Sequence, residues 1–166
     1  MDRAQGAIDA ARAAGADQYA TTAYSAATDA LKNANAAVAA RDYRLALNYA
    51  LESHELAQNA ARGAADAKAL TRVEVDRAVV EITTLVAQGR ARLAAASRAR
   101  VPRGRLAQPA RALTAADSAL QKSGEAIAAD DYLAARAALE GVKERLKAAL
   151  AAIDDAMPGR APPRRR

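Results

Sequence analysis

The sequence predicts an all-α protein: an elongated antiparallel helical bundle in which two tandem three-helix units share one long central helix. Three observations carry that prediction. First, the stretch Leu31 to Ala46, with Val38-Ala39-Ala40-Arg41-Asp42-Tyr43, returns 89 residues later as Leu120 to Ala135, with Ile127-Ala128-Ala129-Asp130-Asp131-Tyr132. At the same offset Tyr24, Ala27, Leu31, Val38 and Tyr43 map onto Leu113, Ala116, Leu120, Ile127 and Tyr132. Second, apolar residues recur at alternating spacings of three and four, the signature of coiled-coil seams. Third, no proline lies between Tyr43 and Arg100, and the only glycines there are Gly63 and Gly89.

Local signals divide the chain into five helices, at about 3–14, 21–40, 43–99, 109–129 and 132–156. Gly15 and Gly104 stand at equivalent positions, each as a C-terminal helix stop. Asp42 and Asp131 fall between helical patterns, where a carboxylate can cap the free N–H groups of the next helix. Pro109 suits the first turn of the fourth helix. The second helix has the seam Tyr24, Ala27, Leu31, Ala34, Val38, and the fourth has Leu113, Ala116, Leu120, Ser123, Ile127. In the last helix the seam is Ala135, Leu139, Val142, Leu146, Ala149, Ile153.

The third helix, if continuous, spans about 85 Å at 1.5 Å per residue. Its first half offers a seam of small residues (Ala46, Ala50, Ser53, Ala57, Ala60, Ala64, Ala67), and its second half a seam of Val75, Val79, Ile82, Val86, Gly89, Leu93 and Ala96. Small seams let helices approach closely. A helix that crosses a duplication boundary is the logic of spectrin-like repeats, in which the third helix of one unit runs into the first of the next. The expected organisation is a first unit over 1–70, a second over 71–157 and a basic Pro/Arg tail over 158–166 without regular structure. The alternative is a compact four- or five-helix bundle with the third helix broken near Gly63 or Leu70.

Composition narrows the function. Hydrophobic residues make up 52% of the chain, but aromatics only 3%, five tyrosines with no Phe or Trp. Much of the apolar share is therefore alanine, which favours helix but buries little. The absence of cysteine excludes disulfides and cysteine metal sites. No apolar run approaches the roughly 18 to 20 residues of a membrane helix, and Met1 is followed by Asp2-Arg3-Ala4 with no apolar targeting segment. His54, the single histidine, lacks a second ligand at helical spacing, so no metal is expected. The pairs Asp130-Asp131 and Asp154-Asp155 read as a helical turn and a helix end rather than as acid–base machinery. Serines and threonines form no nucleophile elbow and no phosphate-cradling loop. Tyr24, Tyr43, Tyr49 and Tyr132 read as packing residues at helix pairings and corners. No cofactor and no catalytic residue is expected, and the chain reads as a non-enzyme.

The net charge of +6 is unevenly placed. Between Glu81 and Asp117 there is no acid but there are seven arginines: Arg90, Arg92, Arg98, Arg100, Arg103, Arg105 and Arg111. The C-terminus adds Arg160, Arg164, Arg165 and Arg166, and the remainder is net acidic. This stretch and tail are the candidate surface for an anionic partner: phosphates, acidic lipids or an acidic protein. The competing reading is that these arginines only solubilise the chain. No aromatic lies among them to stack nucleic-acid bases.

The segment Ala10-Ala11-Arg12-Ala13-Ala14-Gly15-Ala16, then Tyr19-Ala20, Ala26 to Leu31, Ala39-Ala40-Arg41-Asp42-Tyr43 and Ala46, resembles an alanine-rich helical domain of unknown function in bacterial envelope lipoproteins. In some relatives that domain precedes an OmpA-like peptidoglycan-binding domain. The likeness covers residues 3–70 best. It implies a periplasmic, outer-membrane-anchored protein whose N-terminal lipid anchor is not part of this sequence. Another envelope protein or an anionic surface is the expected partner. The sequence itself contains neither a lipid-bearing cysteine nor an OmpA-like module. The alternative is a cytoplasmic, basic protein associated with nucleic acid through the arginine stretch and tail.

Overall fold

The computed structural model describes residues 1–157, all α-helix and turns, with no strand among them. The tail proposed over 158–166, with Arg160, Arg164, Arg165 and Arg166, lies outside the described residues. Seven helices follow one another: α1 (Asp2–Ala13), α2 (Ala16–Tyr19), α3 (Thr21–Ala39), α4 (Tyr43–Arg98), α5 (Arg103–Ala128), α6 (Tyr132–Leu139) and α7 (Val142–Ala156). The long helix is continuous for 56 residues and passes Gly63 and Leu70 without a break, so the broken-helix alternative does not hold. The chain forms two compact units, Met1–Leu70 and the part from Thr71 onward, and α4 contributes to both.

In the first unit α1, α3 and the front of α4 meet through alanine. Ala11, Ala16, Ala27, Ala34, Ala57, Ala60 and Ala64 are fully buried, and Ile8 is the one large aliphatic among the buried residues. A buried hydroxyl crosses this seam, Ser53 Oγ donating to the Ala27 carbonyl at 2.8 Å. Gly15 ends α1 in the left-handed region at φ 81°, with the Tyr19 ring packed over its Cα. The short helix α2 that follows is not announced by the sequence pattern.

The second unit packs the rear of α4 against α5, α6 and α7 with larger side chains. Val75, Ile82, Val86, Leu113, Leu139, Val142 and Leu146 form its centre. Val101, Leu106 and Ile153 close one end. Gly89 lets α5 come near: a Cβ there would lie 2.5 Å from Leu113 Cδ2.

The corner after α3 and the corner after α5 are built alike. Asp42 N–H donates to the Ala37 carbonyl and Asp131 N–H to the Ala126 carbonyl, both at 2.9 Å, in a Schellman arrangement. Arg41 and Asp130 both take φ 61°. Each aspartate then caps the next helix, Asp42 accepting from Leu45 N–H at 3.0 Å and Asp131 from Ala134 N–H at 2.9 Å.

Three expectations need correction. The helix expected from Pro109 begins at Arg103, with Gly104 inside its first turn and Pro109 buried in its interior. Leu106 and Val101 are buried against Ala96 and Ile153, and that burial needs a helical turn ahead of the proline. Loss of one hydrogen bond at Pro109 is outweighed. The stop after α4 is instead Arg100 at φ 58°. The helix expected over 132–156 is interrupted at Glu140-Gly141, where Gly141 takes φ 66°, a conformation glycine adopts without a Cβ clash. The seam survives the break, since Leu139 and Val142 on either side are both buried. Finally, Val38 and Tyr43 do not pack: they are 40% and 68% exposed.

Candidate functional site

The arginine stretch lies in the second unit, on the rear of α4, the turn after it and the front of α5. The structure divides its members into two groups. Arg90 donates to Asp117 at 2.7 Å and ties α4 to α5. Arg92 donates to Asp154 at 2.5 Å and ties α4 to α7. These two are neutralised by carboxylates and act as straps. Arg105 reaches the Asp155 main-chain carbonyl at 3.4 Å, a long contact that leaves its charge uncompensated.

Arg98, Arg100, Arg103 and Arg111 are exposed and make no ion pair with a carboxylate among the described residues. Arg98, Arg100 and Arg103 stand within six positions at the α4–α5 turn, while Arg111 lies two turns further along α5. The turn is therefore the focus of uncompensated positive charge. Arg100 is held there in the left-handed region, its N–H on the Ser97 carbonyl at 3.1 Å, a conformation that costs a non-glycine residue about 1 kcal/mol. The mixing of strap and free arginines is invisible in the sequence, because it depends on which arginines face Asp117 and Asp154.

The other chemistry-bearing residues have structural partners. His54 Nδ1 lies 3.3 Å from the Arg3 carbonyl and Nε2 lies 3.0 Å from Gln58 Nε2. A proton on Nδ1 satisfies both contacts, so the imidazole links α1 to α4. Asp131 is a cap and Asp154 an ion-pair partner, so one carboxylate of each pair has a structural role. No group of three or more His, Cys, Asp or Glu could hold a metal among the described residues. Tyr24 receives a hydrogen bond from Arg12 Nε at 2.8 Å, and Tyr132 is buried with the Arg72 guanidinium 5.9 Å above its ring.

Two features escaped the sequence pattern. One is a half-open groove of about 550 Å³ between α4 and α6, floored by Val75, Ala78 and Leu139 and edged by Glu74, Arg136 and Glu140. Arg136 and Glu74 face each other across it at 3.7 Å. The other is the pair Lys143 and Glu81, 2.6 Å apart. The lysine's hydrogen bond holds the Glu81 carboxyl below the usual carboxylate range, against a smaller opposing effect of desolvation. No helix among the described residues is long and apolar enough to cross a membrane. No family model, curated protein or solved structure matches the chain.

Proposed function

We propose that this chain is a non-enzymatic structural or interaction module of the bacterial cell envelope, the mature part of a periplasmic lipoprotein. The observation that supports a non-catalytic role is the use of its reactive side chains. His54, Asp42, Asp131 and Asp154 are each committed to a helix cap, an interhelical hydrogen bond or an ion pair, and they lie on different elements rather than around one cavity. The envelope location rests on the resemblance of residues 3–70 to the alanine-rich lipoprotein domain. Fractionation of cells producing the full-length gene product tests it: recovery with the periplasm or outer membrane supports the reading, and recovery in the cytosol overturns it.

A second reading follows from Arg98, Arg100 and Arg103, whose charges meet no carboxylate among the described residues. A phosphate-rich partner such as nucleic acid fits that turn. Binding to duplex DNA that weakens steeply with salt, and that Arg100→Ala with Arg103→Ala reduces, would support it. Absence of binding at low salt would remove it.

A further inference from the structure

The corner of the first unit presents apolar side chains to solvent: Val38 at 40%, Tyr43 at 68%, Leu45 at 41%, Leu47 at 59% and Leu51 at 55% exposure. The equivalent corner of the second unit is closed. There the rear of α4 covers it, leaving Tyr132 only 7% exposed beneath Arg72, and Arg136, which stands where Leu47 does, pairs with Glu74. In the first unit α1 begins beside His54, which touches the Arg3 carbonyl; from there back to Tyr43, α4 buries Ala46, Ala50 and Ser53 on one side and leaves Tyr43, Leu45, Leu47 and Leu51 exposed. Contiguous exposed leucines on a helix are costly in water and mark a docking face.

The charges along this face say what docks. Arg44, Leu47, Leu51 and Glu55 follow at spacings of three and four, so they form one stripe of α4. Arg44 and Glu55 are exposed, and neither makes an ion pair among the described residues. The stripe thus runs basic, apolar, apolar, acidic, which is the pattern of a surface complementary to its own inverse.

We propose that a second copy of this chain docks here, front half of α4 against front half of α4, antiparallel about a two-fold axis at the level of Tyr49. In that register Leu47 meets Leu51 of the second copy, and Arg44 meets Glu55 of the second copy. A two-fold contact uses the same patch on both subunits, as this stripe requires. The inference stands on this geometry and is independent of cellular location.

Sedimentation of the full chain across a range of concentrations tests it, with melting curves to confirm that each variant is folded. The expected result is a monomer–dimer equilibrium that Leu47→Glu weakens at least about tenfold. Arg44→Glu alone weakens it several-fold, on the order of a surface ion pair turned repulsive, and Arg44→Glu combined with Glu55→Arg restores it. A chain that remains monomeric at millimolar concentration overturns the proposal. Dimerisation indifferent to Leu47→Glu, or a charge-swapped variant as weak as Arg44→Glu, overturns it as well.

Discussion

The two units solve the same packing problem with different side chains. The first unit closes three helices on alanine, with Ser53 bonded across the seam, whereas the second closes on valine, leucine and isoleucine. An alanine seam brings backbones together but removes few methylenes from water, at about 0.8 kcal/mol each. The first unit is therefore the weaker one, and its stability comes from helix propensity and close approach more than from burial. Amide hydrogen exchange should find faster exchange over 2–64 than over 75–153; equal protection in the two would refute the contrast.

The largest effect is expected in the second core. Leu146 is fully buried, and Leu146→Ala should cost about 2–5 kcal/mol in a denaturant titration. The seam residue Leu120 is half-buried against the same core, and Leu120→Asp should unfold the second unit, because an unpaired charge there costs several kcal/mol; an unchanged melting curve would contradict the packing.

Glycine provides a sharper comparison within one helix. Gly89→Ala drives a methyl into Leu113 and should lose about 1–3 kcal/mol. Gly63→Ala meets only Ala20 Cβ at 3.9 Å and should gain about 0.5–1 kcal/mol. Opposite signs in thermal melts would locate the tight helix pair in the second unit. Ser123 is fully buried, its Oγ has no hydrogen-bond partner among the described residues, and it stands where the first unit has Ala34. Ser123→Ala should stabilise by about 1 kcal/mol. The smallest effect is electrostatic. The depressed Glu81 carboxyl contributes stability that is present above its ordinary titration range and lost as pH falls through the lowered value. Glu81→Gln should flatten a small part of the acid limb of stability against pH.

Periodicity made much of this fold legible. The seams of α3, α4 and α7, the capping aspartates at 42 and 131, and the uninterrupted α4 all follow from spacing and from the absence of proline. What failed were several other signals carried by single residues. Gly104 and Pro109 look like a stop and a start, yet burial of Leu106 draws both into α5. Gly141 stands between the seam residues Leu139 and Val142 and breaks the helix while both stay buried. Val38 and Tyr43 have the pattern of core residues but need a third helix above them, and a linear pattern does not say how far a neighbouring helix extends. The candidate surface was legible only as a count of arginines. Which of them are straps depends on facing carboxylates 27 and 62 positions away.

Continuity of α4 alters how the weaker unit forms. A free alanine-rich segment must start its own first helical turn, a step disfavoured by roughly a thousandfold. Residues 43–70 face no such barrier, because the turn beyond Leu70 belongs to a helix already fixed by Val75 and Ile82. The front of α4 grows by elongation from a formed end. Once the second unit is folded, its end of α4 is a template from which residues 43–70 can extend and onto which α1 and α3 can pack.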